Sequence, residues 1–473
     1  GGGTGGGGGS GGGIGLTIGS FSGSGSIRAN GGNGAGIVGG GGGGGRIAVR
    51  FNTNSFTGSI TAFGGSGASF GGAGTIYQKN NAESFGRVTL DNGNNRGTNT
   101  VFDSSSDLLV LGQAIGVLSG TWSGQNVRVE SNGVLRTVSE SLATISVSGD
   151  VFVADGGVIS ADGLAKFGSS IGYSSAGLPG GGGSYGGTGG GNPLTPALAY
   201  GSVQSPNAPG SGGGNGSLIG GSYPGGYGGG ALKIIAGGNV TVNGRLSVDG
   251  ADGAVNSGGG SGGGLWISTT LFSGKGLVSA KGGAGNPAGG GGGGGRIGVS
   301  FASNNFTGIL TAGGGAGSVG GGAGTVFLKP NSSGGLLLLD NNGLAGTNTP
   351  LSSSYLLPAI PFDLVIRGGA SALPLTPLPL LSNLTIGAGA SLWMATNSTT
   401  NLFVSVIRDL TLASGSAIVA TGRGYLAGQG TGHGNTSLFS GSGGGYGGNG
   451  GASAGGAVGG VSYGSANKPV HLG

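Results

Sequence analysis

Cysteine is absent from the 473 residues, and its absence excludes disulfide bonds, thiolate metal sites and thiol catalysis. Charged residues make up only 7% of the chain, whereas ordinary globular domains carry about 25%. Histidine occurs only at His433 and His471, both in glycine-rich sequence. The chain therefore has few of the side chains on which acid–base and nucleophilic chemistry depend.

Long apolar runs are also missing, and no stretch of about 20 apolar residues predicts a membrane-spanning helix. No segment keeps the 3.6-residue period of an amphipathic helix, so we expect almost no helix. The net charge of +5 is spread over the whole chain and forms no basic patch, so we do not expect nucleic-acid binding. The chain opens on Gly1 without a visible signal peptide, and we expect a mature product or a fragment.

Glycine dominates what is present, with 132 residues, and 35% of the chain is hydrophobic. High glycine content alone is typical of disorder, but disordered chains are poor in apolar residues and rich in charge. The mean hydropathy of this chain is +0.18. We therefore expect it to fold or to assemble. The scarcity of lysine and glutamate beside abundant serine, threonine and asparagine favours an extracellular or cell-surface location.

The sequence contains an internal repeat. Residues 46–79 and 296–329 align without a gap, as RIAVRFNTNSFTGSITAFGGSGASFGGAGTIYQK and RIGVSFASNNFTGILTAGGGAGSVGGGAGTVFLK. A weaker match pairs YGSVQSPNAPG at 200–210 with YGSANKPVHLG at 463–473. The repeat unit is about 250–260 residues long, and the chain holds just under two units. It reads as a section of a longer array, or as a chain built to continue into another copy.

Short, alternating, β-branched segments bracketed by glycine, asparagine or serine predict strands. In the first unit these segments begin near residues 14, 26, 46, 58, 74 and 86, and the second unit has the same rhythm. Regular spacing of short strands predicts an all-β fold, a parallel β-solenoid. The usual hand of parallel crossovers makes it right-handed.

Each repeat unit carries a run of seven glycines, Gly39–Gly45 and Gly289–Gly295. One interpretation is that such arms are surface loops. The other is that they are ordered and stacked in polyglycine-II-like helices, because glycine lets one backbone approach another. We expect Arg46 and Arg296 to mark re-entry into the sheet and to bond to carbonyls of the stacked arms. Arg46→Ala should then lower the melting temperature.

Tyrosines are interleaved with glycine in two tracts, and Tyr185, Tyr227 and Tyr446 are candidate packing or assembly residues. A flexible linker needs no aromatic residues. We divide the chain into solenoid over 1–163 (most of the first unit), a Gly/Tyr-rich tract over 164–230, solenoid over 231–349 (the second unit), a proline-rich apolar bridge over 350–382, solenoid strands over 383–422, and a second Gly/Tyr-rich tract over 423–473 that continues into the next unit.

No residue set predicts catalysis or a cofactor. Glycine-rich phosphate motifs occur by chance in such a chain, and none sits between a strand and a helix. Asp249 and Asp252 could bind Ca²⁺ through carboxylates and carbonyls, but a plain Asp-Gly turn is the alternative. We therefore predict no catalytic residue, no cofactor and no metal beyond this weak calcium candidate.

The motifs GGGGGGGRIAVRF, FTGSITAFGG and GGAGTIY, repeated as GGGGGGGRIGVSF, FTGILTAGGG and GGAGTVF, resemble very large glycine-rich repeat exoproteins of bacterial surfaces. The resemblance covers both units and implies an adhesin-like β-helix at the cell surface, adhesion or fibre building, and no catalysis. We expect a structural protein that associates with itself, head to tail and laterally, or continues as repeats of one giant chain. The alternatives are an adhesin stalk that binds surface glycans or cells and, more remotely, a carbohydrate-active β-helix enzyme.

Overall fold

The computed structural model describes residues 5–102, 106–138, 140–166, 168–175, 178–191, 198–218, 221–332, 334–355, 357–395, 402–467, 469 and 471–473. Within these ranges the chain is nearly all β, with one 3₁₀ turn at Ser353–Tyr355 and no α-helix. The predicted all-β class and the expected scarcity of helix are confirmed for the described residues.

Among the described residues, the first repeat unit and the tract after it contain seventeen strands. They are β1 (Gly13–Gly23), β2 (Ser26–Arg28), β3 (Arg46–Phe56), β4 (Ser59–Thr61), β5 (Thr75–Asn80), β6 (Arg87–Asp91), β7 (Asn99–Val101), β8 (Asp107–Leu111), β9 (Ile115–Leu118), β10 (Thr121–Gly124), β11 (Val127–Val129), β12 (Val134–Thr137), β13 (Ala143–Val147), β14 (Val151–Val153), β15 (Val158–Ser160), β16 (Gly216–Leu218) and β17 (Gly221–Tyr223).

The remainder of the chain adds eighteen strands. They are β18 (Ala231–Ala236), β19 (Asn239–Val242), β20 (Arg245–Ser247), β21 (Gly264–Gly274), β22 (Leu277–Ser279), β23 (Arg296–Phe306), β24 (Ile309–Thr311), β25 (Thr325–Pro330), β26 (Leu336–Asp340), β27 (Asn348–Leu351), β28 (Phe362–Arg367), β29 (Ser371–Pro374), β30 (Leu381–Ile386), β31 (Ser391–Trp393), β32 (Leu410–Leu412), β33 (Ala417–Val419), β34 (Thr436–Ser437) and β35 (Ser440–Gly441).

These strands form long parallel sheets. The largest sheet has 18 strands, a second has seven in the order β24-β22-β20-β15-β12-β9-β7, and a third has four in the order β27-β29-β31-β33. Three two-stranded sheets complete the set: β2 with β4 in parallel, and the antiparallel hairpins β16–β17 and β34–β35. The connections between β1, β3 and β5 and between β21, β23 and β25 contain the glycine-rich segments.

The two repeat units pair their strands in the same register. Arg46 lies between Gly13 on β1 and Thr75 on β5, and Arg296 lies between Gly264 on β21 and Thr325 on β25. The six predicted strand starts of the first unit each lie within one residue of an observed start. Alternation and glycine punctuation are local signals, which is why they locate these starts well.

The observed strands differ from the prediction in two ways. β6 pairs with β5 antiparallel, and β26 pairs with β25 in the same way, so a hairpin interrupts the parallel order in each unit. A turn of a few residues joins the two strands of each pair. Such a short connection can join only antiparallel strands, because parallel strands need a longer crossover. Residues 350–382 are not the irregular bridge that we expected, because β28 and β29 lie within them and continue the parallel sheets.

The core consists of alternate strand residues that face inward and pack against the equivalent residues of the neighbouring parallel strands. Val49 on β3 and Leu90 on β6 are fully buried, as are Val299 on β23 and Leu339 on β26. Three buried clusters run through the chain, and the largest spans Ala73 to Val326. Truncating such a side chain to alanine costs about 2–5 kcal/mol.

Asparagine and aspartate side chains connect neighbouring levels where strands end. Asn92 is fully buried; its Oδ1 accepts from Gly64 N at 2.7 Å and its Nδ2 donates to Gly71 O at 3.1 Å. Asn341 repeats this arrangement with Gly314 N at 2.7 Å and Gly321 O at 3.1 Å. These buried amides satisfy backbone groups that the parallel ladders leave free.

Candidate assembly site

The glycine arms are hydrogen-bonded to one another at every third residue. Gly41 and Gly44 donate their amides to Ser69 O and Gly72 O, each at 2.9 Å. In the second unit Gly291 and Gly294 donate to Val319 O at 3.0 Å and Gly322 O at 2.8 Å. Residues three apart in each arm donate to the same neighbouring segment. This spacing indicates an extended backbone helix with three residues per turn.

The packing of these arms requires glycine. A Cβ atom on Gly42 would lie 2.0 Å from Gly9 O, and one on Gly294 would lie 1.8 Å from Ala312 O. The four residues that bound the seven-glycine runs are all buried. Their bonds are Gly39 N to Ala35 O, Gly45 N to Ala29 O, Ser318 N to Gly289 O and Gly295 N to Ala280 O.

Arg296 follows the second run and is completely buried. Its Nε donates to Tyr200 O at 2.8 Å, and its Nη1 donates to Thr325 Oγ1 at 3.3 Å. The guanidinium carbon lies 5.7 Å from the ring centroid of Tyr185 and 5.1 Å from that of Tyr355. We call Arg296 with these four residues the arginine cage.

Aromatic rings and neutral oxygens hold the cation in the cage, since no ion pair of the described residues includes Arg296. Burial lowers the pKa of the Arg296 guanidinium and raises the pKa of the Tyr185 hydroxyl above its usual range. Burial also raises the pKa of Tyr200 and of Tyr355. Each desolvated cation–π contact stabilises such a site by about 2 kcal/mol.

The cage is closed by the segment that precedes the second unit, residues 180–210, which we call the first tyrosine arm. The Tyr200 and Tyr185 rings are tilted at 58° with their centroids 4.8 Å apart, and the Tyr200 hydroxyl donates to Pro209 O at 2.7 Å. Val203 is fully buried and donates its amide to Tyr355 O at 2.8 Å. The arm therefore covers Arg296 with side chains and backbone together.

Arg46 has the same local sequence but a different environment. Its side chain is exposed, and Nη2 reaches only Val101 O, at 3.4 Å. The expectation that both arginines bond to carbonyls of the stacked glycine arms is corrected: Val101 belongs to strand β7, and the carbonyl partner of Arg296, that of Tyr200, belongs to the tyrosine arm. The position of each arginine beside its glycine run does not decide its hydrogen-bond partner, because both partners, Val101 O and Tyr200 O, belong to segments distant in sequence.

An open groove of about 520 Å³ surrounds Arg46. In the second unit the equivalent space is filled by the first tyrosine arm, since a Cβ on Gly264 would meet Ala208 O at 2.6 Å and one on Gly298 would meet Gln204 O at 2.8 Å. At Gly13, the counterpart of Gly264, a Cβ would meet nothing within 4 Å. We call this space the Arg46 groove; it is lined by Gly13, Ile14, Gly15, Arg46, Ile47, Ala48, Arg50, Thr75, Tyr77, Val88, Phe102 and Ser106.

A second tyrosine arm, residues 441–473, has the internal geometry of the first. Tyr446 and Tyr463 lie 5.1 Å apart, and the Tyr463 hydroxyl donates to Leu472 O. Residues 182–187 of the first arm are buried, whereas Tyr446 is only partly buried and Gly447 and Gly448 are exposed. The predicted Tyr185 and Tyr446 thus occupy equivalent places in two arms. Tyr227 lies apart from both, with its ring 43% exposed.

The weak calcium candidates lie among hydrogen-bond donors. Asp249 accepts from Arg245 Nη2 at 2.9 Å and from Lys281 N at 2.7 Å, and Asp252 accepts from Ala284 N at 2.7 Å. Burial raises the pKa of the Asp249 carboxyl. No cluster of three or more His, Asp or Glu side chains that could hold a metal occurs in the described part of the chain. A calcium ion would have to displace the Arg245 guanidinium.

No known protein family, curated protein or solved structure matches this chain. Within the described ranges no helix has the length and apolarity to span a membrane. The residues predicted for packing or assembly did not include Tyr200, Tyr355 and Tyr463. The repeated YGS at 200–202 and 463–465 is the sequence signal that could have pointed to two of them.

Proposed function

We propose that the chain is a structural segment of an extracellular, glycine-rich β-solenoid protein that assembles with itself into a filament, sheath or surface matrix. The role is mechanical, and no residue is assigned to catalysis. The location follows from composition and from the resemblance to bacterial surface exoproteins, and it is part of the proposal.

Two features support the solenoid interpretation. Strands of successive levels pair in parallel with unbroken register, as β21 does with β23 over ten residue pairs. The glycine arms between them bond at every third residue, which is the repeat of a polyglycine-II-like helix. These features support a solenoid in which each coil has two parts. One part belongs to a parallel β-sheet, and the other is an extended glycine helix that packs against those of the neighbouring coils.

The observation that carries self-assembly is an open strand at one end of the parallel stack. Strand β21 pairs with β18 and β19 on one side and with β23 on the other. Its counterpart β1 pairs with β3 alone among the described residues. An eleven-residue edge strand with low charge offers free backbone donors and acceptors to another chain.

Sedimentation velocity across a concentration series, followed by negative-stain microscopy, tests the proposal. Wild-type chain should form concentration-dependent oligomers and regular fibres. Thr17→Lys places a charge on the exposed face of β1 and should weaken association, since lysine protects edge strands from pairing. Ser268→Lys is the matched control, because Ser268 is the counterpart of Thr17 on β21 and is paired there with Ile235 on one side and Ser300 on the other. A wild-type chain that stays monomeric at every concentration would refute the proposal.

One observation favours the adhesin alternative. An open cleft of about 550 Å³ combines the half-exposed ring of Phe85 with Gln78, Asn80 and Glu83, and aromatic and amide groups together suit a sugar ring. Binding to an oligosaccharide array, lost in Phe85→Ala while the fold is retained, would support glycan binding. Isolated rods without fibres would favour the same alternative.

A further inference from the structure

We propose that the second tyrosine arm of one copy docks in the Arg46 groove of another copy, as the first arm docks on Arg296 within the chain. This inference rests on the proposed self-assembly and names its contact surface. The chain contains two arginine faces and two tyrosine arms. One face and one arm are joined within the molecule, and the other face and arm are both open.

The second arm is already folded for this contact. Three backbone bonds within the first arm recur in the second, and one of these pairs is Tyr200 N to Tyr185 O at 2.9 Å and Tyr463 N to Tyr446 O at 2.7 Å. The glycine after the second tyrosine has a positive φ in both, +77° at Gly201 and +86° at Gly464. Two further pairs agree: Tyr185 N to Gly187 O with Tyr446 N to Gly448 O, and Gly182 N to Gly190 O with Gly443 N to Gly451 O. An arm that is ordered before docking loses little conformational entropy on binding.

The Arg46 face presents the donors that the first arm uses on the Arg296 face. In the second unit three glycine amides donate to the first arm: Gly290 to Gly180 O, Gly293 to Gly183 O and Gly322 to Thr188 O, at 2.8–2.9 Å. Their counterparts in the first unit are Gly40, Gly43 and Gly72. Among the described residues these three amides donate to no carbonyl. Carbonyls of the second arm would satisfy them.

The Arg46 groove offers a cation, and the second tyrosine arm offers aromatic rings and a carbonyl acceptor. Arg46 is exposed, and none of the ion pairs among the described residues includes it. The docked arm would bring the rings of Tyr446 and Tyr463 to the guanidinium, with Tyr463 O as the acceptor that Tyr200 O supplies to Arg296. A cation–π contact is stronger where the guanidinium and the ring are shielded from water, as they would be under the docked arm.

One difference between the faces and one between the arms bear on the fit. Ala48 stands where the second unit has Gly298, at which a Cβ would meet Pro206 Cδ at 2.8 Å. The second arm is smaller at another point, with Ala466 in place of Val203. Ala48 therefore limits how closely the arm approaches. Ala48→Gly should tighten association, and Ala48→Leu should block the groove.

The second tyrosine arm of one copy can reach the Arg46 groove of another copy without β1 of that copy pairing with the last parallel strands of the first. The last strand of the parallel sheets, β33, ends at Val419. The backbone bonds of the second arm lie largely within the arm itself. The occupant that we assign to the groove is thus the arm of a second copy.

Directed cross-linking tests the contact, because the chain has no native cysteine. Within the chain Thr188 Oγ1 donates to Asn348 O at 2.8 Å and Thr347 Oγ1 donates to Thr188 O at 2.6 Å. Asn449 and Thr98 are the counterparts of Thr188 and Thr347 in the open arm and the open face. Equimolar Thr98→Cys and Asn449→Cys chains, mixed and treated with a short bifunctional maleimide, should give a heterodimer several-fold above the homodimers of either chain. Thr188→Cys/Thr347→Cys is the calibrating control and should link within one chain.

The association constant provides the second measurement. Ala48→Leu should weaken association by about tenfold or more, and Ala48→Gly should strengthen it, with the fold checked by circular dichroism. If wild-type chain assembles but Ala48→Leu associates as well as wild type and no Thr98–Asn449 link forms, this contact is wrong and self-assembly by another surface stands. If wild-type chain does not assemble, both proposals fail.

Discussion

The Nε atom of Arg296 donates a 2.8 Å hydrogen bond to the carbonyl oxygen of Tyr200, which lies 96 residues earlier in the chain. The bond joins the start of the second repeat unit to a glycine- and tyrosine-rich segment that follows the first. It shows that such a segment can act as a packing element over the sheet. The same relationship, repeated between copies, is the basis of the assembly contact proposed above.

Replacing the two arginines with alanine should have unequal effects on folding. Arg296→Ala removes two cation–π contacts and leaves Tyr200 O without its donor, at a cost of about 3 kcal/mol. Arg46→Ala removes one long hydrogen bond from an exposed side chain and should change the free energy of unfolding by less than about 0.5 kcal/mol. Denaturant titration of the two variants measures both. Equal losses would contradict the assignment of the cage to Arg296.

Alkaline pH should destabilise the fold through the buried tyrosine of the cage. Burial raises the pKa of Tyr185 above the ordinary value of 10, so between these two values the unfolded chain loses a proton that the native chain keeps. The stability contribution is therefore complete below pH 10 and is lost as pH rises further, by about 1.4 kcal/mol per pH unit.

Tyr185→Phe separates this effect from the other tyrosines. The variant should show a shallower fall of unfolding free energy above pH 10. Its tyrosinate absorbance should lack the component that titrates only as the fold is lost. Tyr227→Phe is the matched control, since that ring is 43% exposed. A wild-type protein whose tyrosines all ionise near pH 10 in the folded state would contradict the buried cage.

Alanine at a packed glycine should be far more costly than alanine at an open one. At Gly294 the new Cβ would lie 1.8 Å from Ala312 O, which is backbone and cannot move aside alone. Gly294→Ala should lose about 3 kcal/mol or more, or fail to fold. Gly12→Ala is the control, because a Cβ there meets nothing within 4 Å. Thermal melts of both variants decide whether the arms are tightly packed.

Replacing a buried asparagine should lower the free energy of unfolding, whether the whole side chain or only its amide NH₂ group is removed. Asn341→Ala leaves Gly314 N and Gly321 O without partners in a buried place, at about 2–4 kcal/mol. Asn341→Asp keeps the acceptor but removes the donor and buries a carboxyl, so it should destabilise as well. Asn331→Ala is the comparison, because Asn331 is exposed and is not among the residues with a positive φ. Hydrogen exchange at Gly314 should rise in the first variant.

Local pattern accounts for much of the fold that the sequence predicted. Strands such as β3 and β23 alternate apolar and polar residues and follow glycine, and both signals act within a few residues. The repeat adds a second, independent reading of each strand. The strand starts and the nearly all-β class therefore followed from sequence alone. The antiparallel return of β6 and the strands inside 350–382 did not, because they depend on which strand lies alongside.

The environments of Arg46 and Arg296 show what only the tertiary structure decided. Both follow seven glycines and precede an isoleucine, yet one side chain is exposed and the other completely buried. The difference is made by Tyr185 and Tyr200, which reach Arg296 from a distant part of the chain. Periodicity and composition determine what a segment forms, whereas burial and partner depend on contacts distant in sequence, which no local pattern encodes.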